Sequence, residues 1–241
     1  MSDELLRSHD GHVTRLTLNR PQKANALSAS LVEALLDAVE YAATDGTRLL
    51  ILDGAGPHFC AGFDFTDVQT LSEGDLALRF IRIETLLQAL HHAPCDTLVF
   101  AHGRVFGAGA DLVACCSRRI AAPDTAFRMP GLRFGLVLGT RRLAERVGSD
   151  KARELLRTTR SFGADEALAC GFLTGSAVRE KWPALIDTAR AEAEALTPAA
   201  AAALNRRTLV DTRAEDMAEL ARSASVPGLK ERIRRYRESG K

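Results

Sequence analysis

"GRVFGAGADLVACC", Gly103 to Cys116, sets Gly107, Ala108 and Gly109 just ahead of an apolar run, with Asp111 between them. Small residues at a helix start leave backbone N–H groups open, and the helix dipole favours negative charge there. The stretch therefore reads as a phosphate cradle, as tight helix packing, or as half of a site that receives an oxygen turning anionic. Neither G-x-x-x-x-G-K-[ST] nor G-x-G-x-x-G is present, so the simplest nucleotide readings fail, and without G-x-S-x-G the chain does not read as an ordinary serine hydrolase. A second stretch of the same kind is "FCAGFDF", Phe59 to Phe65, where Ala61 and Gly62 allow close approach to the backbone. Two convergent N–H donors make an oxyanion hole, whereas one makes only a turn.

Outward from these loops, "VTRLTL" (Val13 to Leu18) alternates as a half-buried strand, and "RLLILD" (Arg48 to Asp53) and "DTLVFA" (Asp96 to Ala101) read as further strands. "RRIAA" (Arg118 to Ala122) reads as another. Between them, Ser30-x-x-Glu33 has the form of a capping box ahead of a helical stripe at Leu31, Leu35 and Val39, and a second helix is expected over Asp75 to His92. Leu112 to Cys116 continues the opening stretch as an apolar helix. Strands alternating with helices give an α/β architecture with parallel pairing. Beyond Gly139 the reading is helical, with Ser149 as a cap, Gly171 as a stop, and Ala191 to Arg207 interrupted only by Pro198. No Ser/Gly linker divides the chain, which implies one α/β core with a helical C-terminal extension.

The 241 residues carry 32 Lys plus Arg against 31 Asp plus Glu, so overall charge points to neither nucleic acid nor an acidic membrane surface. The last 12 residues, "KERIRRYRESGK", hold six basic and two acidic side chains, an excess of +4. No run approaches the roughly 18 apolar residues of a membrane span, and the N-terminus lacks a secretory pattern, so a soluble, cytoplasmic protein is expected. Five cysteines without a C-x-x-C pair fit reduced buried thiols, and no metal site is expected.

Four ordered blocks carry a family resemblance: "NRPQKANAL" (Asn19 to Leu27), "FCAGFDF", "HGRVFGAGADLVACCSRRIAAPDTAFRMPGLRFGL" (His102 to Leu136) and "SFGADEALACGFL" (Ser161 to Leu173). Together they resemble the crotonase, or enoyl-CoA hydratase/isomerase, family. The resemblance implies a spiral of repeated strand–strand–helix turns over residues 1–195 and a helical trimerisation or lid region over 196–241. It implies homotrimers or dimers of trimers, and a place in fatty acid metabolism. An acyl-CoA thioester would be the substrate, with coenzyme A entering as part of that substrate and no permanently bound cofactor. Carried over residue by residue, the oxyanion donors are the N–H groups of Phe63 and Ala108, with Asp111 as the acid. Coenzyme A contacts carry over to Lys23, Ala24 and Ala26, with Ala61 and Gly62 on the adenine side, and Lys230, Arg234 or Arg235 near the diphosphate.

The family's hydratases use two glutamates. The first position is Asp111 here and the second aligns with Gly131. Hydration asks for a base to activate water and an acid to protonate carbon, and glycine supplies neither. The resemblance then implies an isomerase or another single-acid reaction more than a two-glutamate hydratase, with a catalytically inactive acyl-CoA-binding protein as the alternative. Asp64 is expected to bond nearby backbone, and Arg128 and Arg133 to be solvated.

Overall fold

The computed structural model describes residues 4–239. A six-stranded sheet runs in the order β1 (Leu5–Asp10), β2 (Val13–Leu18), β3 (Leu49–Gly54), β4 (Asp96–Ala101), β6 (Arg118–Ala121) and β9 (Gly175–Ser176). Only the β1–β2 pair is antiparallel. A three-stranded sheet joins β5 (Arg104–Phe106), β7 (Ala126–Arg128) and β8 (Phe162–Gly163). The wholly buried β3 matches its unbroken apolar run, since a strand covered on both faces has no polar side to alternate.

The chain alternates between the two sheets before each helix. β3 leads to Cys60, which bridges to Val105 of β5, and then to α2 (Glu73–His91). β4 leads to β5 and α3 (Ala108–Cys115), and β6 leads to β7, α4 (Thr140–Val147) and α5 (Ser149–Thr158). Each turn thus places a strand in the larger sheet and a strand or bridge at the smaller one ahead of its helices, which is the expected strand–strand–helix spiral. The chain then adds α6 (Ala164–Ala169), α7 (Trp182–Ala195), α8 (Pro198–Thr208), α9 (Arg213–Ser225) and α10 (Leu229–Glu238). Trp182 and Ala189 of α7 pack on the outer face of the larger sheet with Phe100. α9 and α10 return to α2, burying Leu220, Leu229 and Ile233, while α8 buries no residue.

Four local expectations are corrected. The first helix, α1 (Ala29–Ala42), is capped by Ser28, whose hydroxyl accepts from Leu31 N–H, whereas Ser30 bonds to Glu4. α2 begins at Glu73 because Ser72 and Asp75 form the reciprocal capping box. Ser149 is the first residue of α5, and Gly148, in a conformation open to glycine, is its N-cap. The alanine-rich stretch is two helices: Thr197 caps a new one in which Pro198 is the first residue, where its missing N–H costs nothing.

Candidate active site

The two small-residue loops meet backbone to backbone. Phe106 N–H donates to Cys60 O at 3.0 Å, and Gly109 lies so close to Cys60 that a Cβ there would overlap its carbonyl. At Gly62, which has φ +87°, a Cβ would sit 3.2 Å from Ala108 N and 2.5 Å from Phe106 O. Glycine at 62 and 109 is therefore a steric requirement of this crossing.

Phe63 forms a parallel bridge with Leu27 through its neighbours: Leu27 N–H donates to Gly62 O at 2.7 Å and Asp64 N–H donates to Leu27 O at 3.2 Å. In such a bridge the Phe63 N–H faces away from Leu27. Ala108 is the first residue of α3, so its N–H has no partner within the helix. Neither N–H donates to an acceptor among the described residues. Both residues line an apolar cavity of about 240 Å³, walled by Phe65, Phe80, Phe134 and Tyr236 among others. The walls interlock: Phe63 stacks on Phe80 with centroids 4.3 Å apart, and the Arg79 guanidinium lies 4.4 Å from the other partner of that stack, the Phe63 ring.

Asp111 lines the same cavity, one turn into α3. It is 3% exposed and its Oδ1 is buried without a hydrogen-bond partner among the described residues. Burial pushes its carboxyl up to about 8; the Arg142 cation opposes the rise and the Glu84 anion adds to it. Gly139, with φ +64°, packs directly on the carboxyl, and a Cβ there would overlap Oδ1. Gly131 also lines the cavity, at the start of the 3₁₀ turn Gly131–Phe134, so that wall carries no acid.

Not every expected residue reaches the cavity. Ala61 lines it, whereas Gly62 stands at the crossing behind, and Ala61 N–H donates to Ala24 O at 2.9 Å, which ties the "KANAL" loop to this wall. Lys23 is exposed and has no ion pair among the described residues, and Ala26 is buried under the loop. Asn25, which is not among the residues expected from sequence, organises that loop. It is buried at φ +53°, its Nδ2 donates to Ala55 O and His58 O at 2.9 and 2.8 Å, and its Oδ1 accepts from Arg20 N–H at 2.7 Å. An asparagine between small residues is the available signal, because Asn tolerates the left-handed region.

Of the basic candidates, Lys230 donates to Gln69 O and Leu71 O, Arg234 pairs with Glu231 and Glu238, and Arg235 pairs with Glu231. Arg133 is exposed, as expected, and donates to Thr159 Oγ1 at 3.0 Å, whereas Arg128 is half-buried and donates to Thr159 O at 2.8 Å, so that both fix the end of α5. Asp64 behaves as expected of a structural acid. It accepts from Thr66 N–H and Thr66 Oγ1 at 3.0 and 2.6 Å and from Arg20 at 2.9 Å.

Residues 8–241 match the family model described as enoyl-CoA hydratase/isomerase. A Mycobacterium leprae protein named "Probable enoyl-CoA hydratase echA6" is 34% identical over 66% of this chain and 65% of its own length. A Bacillus subtilis protein named "Probable enoyl-CoA hydratase" is 34% identical over 68% of this chain and 66% of its own. The matched stretch thus spans just under two-thirds of these relatives. A crystal structure from the enoyl-CoA hydratase/isomerase group of Bordetella parapertussis shares 52% identity, with TM-score 0.96 and 98% of each chain covered.

Proposed function

The chain belongs to the enoyl-CoA hydratase/isomerase family, and we propose that it is an enzyme that moves a proton on an acyl-CoA thioester, with double-bond isomerisation as the preferred reaction. The observation that carries this reading is that Phe63 and Ala108, whose N–H groups have no acceptor among the described residues, line one cavity with the bare Asp111 carboxyl.

In this mechanism the thioester oxygen sits between the two N–H donors, which stabilise the enolate as negative charge develops on it. Asp111 takes the proton from one carbon of the acyl chain and returns it to another. Burial suits it to both halves of the task. A carboxyl poised near 8 is a far stronger base than an ordinary aspartate, and its protonated form is still acidic enough to give the proton back. The glycine at position 131 argues against hydration, because no second acid activates water from that wall.

The inactive acyl-CoA-binding alternative draws on the same glycine. A panel of 3-enoyl-, 2-enoyl- and β-ketoacyl-CoAs separates the two: isomerisation of a 3-enoyl-CoA that falls about 10²–10⁴-fold in Asp111→Asn supports the enzyme. Tight binding without turnover across the panel supports the binder. Lys23, Ala24, Ala26, Ala61 and Gly62 are the proposed coenzyme A contacts, with Lys23 as an exposed charge for phosphate. The proposed assembly is a homotrimer or dimer of trimers, in which α8 offers a surface that its own chain leaves uncovered.

A further inference from the structure

Behind Asp111 lies a buried ion pair. Glu84 of α2 and Arg142 of α4, with side chains 1% and 4% exposed, meet through both terminal guanidinium nitrogens: one donates to Glu84 Oε1 at 3.0 Å and the other to Oε2 at 2.5 Å. Gln88 adds a hydrogen bond to Glu84 Oε1 at 2.9 Å. The turn at Gly139 that leads into α4 touches the Asp111 carboxyl, and Arg142 follows three residues later. Two buried polar atoms in this neighbourhood lack a hydrogen-bond partner among the described residues, Asp111 Oδ1 and Arg142 Nε. A guanidinium with an idle N–H and a bare carboxyl are complementary groups, yet they stay apart, because Glu84 holds the guanidinium in a two-point grip.

We propose that Glu84 is a positioning residue that acts on Asp111 through Arg142: by binding both terminal nitrogens of the guanidinium, it withholds the cation that would otherwise claim Asp111 as a permanent ion pair. The Asp111 carboxyl is thereby left unpartnered and free to exchange a proton with an acyl group in the cavity. This rests on the reading of Asp111 as the proton-transfer group.

The other groups around Asp111 do not supply that control. From its own helix comes the Cys115 thiol, kept protonated by burial. Arg128 and Tyr236 face it from the far cavity wall, and Arg128 is committed to Thr159 O. From α4 the remaining neighbour, Thr140, is uncharged. Asp216 of α9 stands 4.0 Å from Arg142, and His91 of α2, pushed down to about 4 by burial and then by Arg146 and Arg142, is neutral at physiological pH.

The test follows the Asp111 carboxyl by infrared difference spectroscopy across pH, without substrate, in the full-length protein. Its band is assigned by its absence in Asp111→Asn. In Glu84→Gln the freed Arg142 pairs with Asp111, and the midpoint falls by about 1–3 pH units from near 8. In Arg142→Met the cation that opposes the rise is gone and the midpoint goes up. Glu84→Gln combined with Arg142→Met removes both charges and returns the midpoint close to that of the unaltered protein. With 3-enoyl-CoA, the pH limb of kcat moves with the midpoint in each variant while KM stays within about threefold. An unmoved midpoint in either single variant overturns the proposal, so one folded single variant is enough. If the midpoints move as stated and no acyl-CoA turns over, the coupling stands and the enzymatic reading of the site fails.

Discussion

Asp64 and Asp111 occupy matching places in the two crossing loops. Each follows a pair of small residues, Ala61-Gly62 and Ala108-Gly109, and each shares its loop with a proposed oxyanion donor. Both are buried, 7% and 3% exposed. Their chemistry nevertheless diverges. For Asp64, burial pushes the carboxyl up, but bonds from Thr66 and Arg20 outweigh it and hold the group below the usual carboxylate range. Asp111 is buried more deeply and meets no hydrogen bond, and Arg142 is bound to Glu84, so the carboxyl rises to about 8. Burial sets the cost of a charge, and the partners then decide whether the charge is kept. Asp64 keeps its charge and fastens the loop. Asp111 can gain and lose a proton inside the cavity.

The largest way to break this contrast is through stability against pH. Asp111 binds its proton more tightly folded than unfolded, so the folded state holds more protons between the ordinary aspartate value and about 8. Its stabilising proton is fully present below that window, and stability falls by about 1.4 kcal/mol per pH unit as pH rises through it. Chemical denaturation at several pH values measures this slope, and Asp111→Asn is expected to remove it. Asp64, with its value lowered, contributes in the opposite sense: its stability is present above the ordinary aspartate value and fades as pH falls below it.

Next in size is Ala108→Pro, which deletes one proposed oxyanion N–H at the first helical position, where proline is otherwise tolerated. Turnover of 3-enoyl-CoA is expected to fall about 10²–10³-fold with little change in melting temperature. Asp64→Asn is expected to do the reverse, costing about 1–3 kcal/mol of unfolding free energy while kcat stays within a few-fold. Thr66→Val removes only the hydroxyl that Asp64 accepts from, and a loss of about 1 kcal/mol is expected in the same denaturation experiment.

The parts of the fold with long periodic patterns were legible from sequence. The alternation in Val13–Leu18 and the stripe at Leu31, Leu35 and Val39 lie where they were expected. The smaller sheet was not, because strands of two or three residues such as β5, β7 and β8 are too short to show a period, and tertiary pairing alone defines them. Local hydrogen bonding also chose between two serines two residues apart, giving the cap to Ser28 and not Ser30. At the site, the two small-residue loops were readable singly, but their crossing was not, since it depends on the Cys60–Phe106 and Gly62–Ala108 approaches. Glu84 and Arg142 left no trace, being 58 residues apart on separate helices.

Asp111 is proposed to carry the proton in an acyl-CoA isomerisation, a role read out by the pH dependence of kcat/KM for a 3-enoyl-CoA. The rate is expected to rise with pH through about 8, as Asp111 loses its proton, and to fall about 10²–10⁴-fold in Asp111→Asn. A rate that Asp111→Asn leaves unchanged, with the same pH profile, would contradict it.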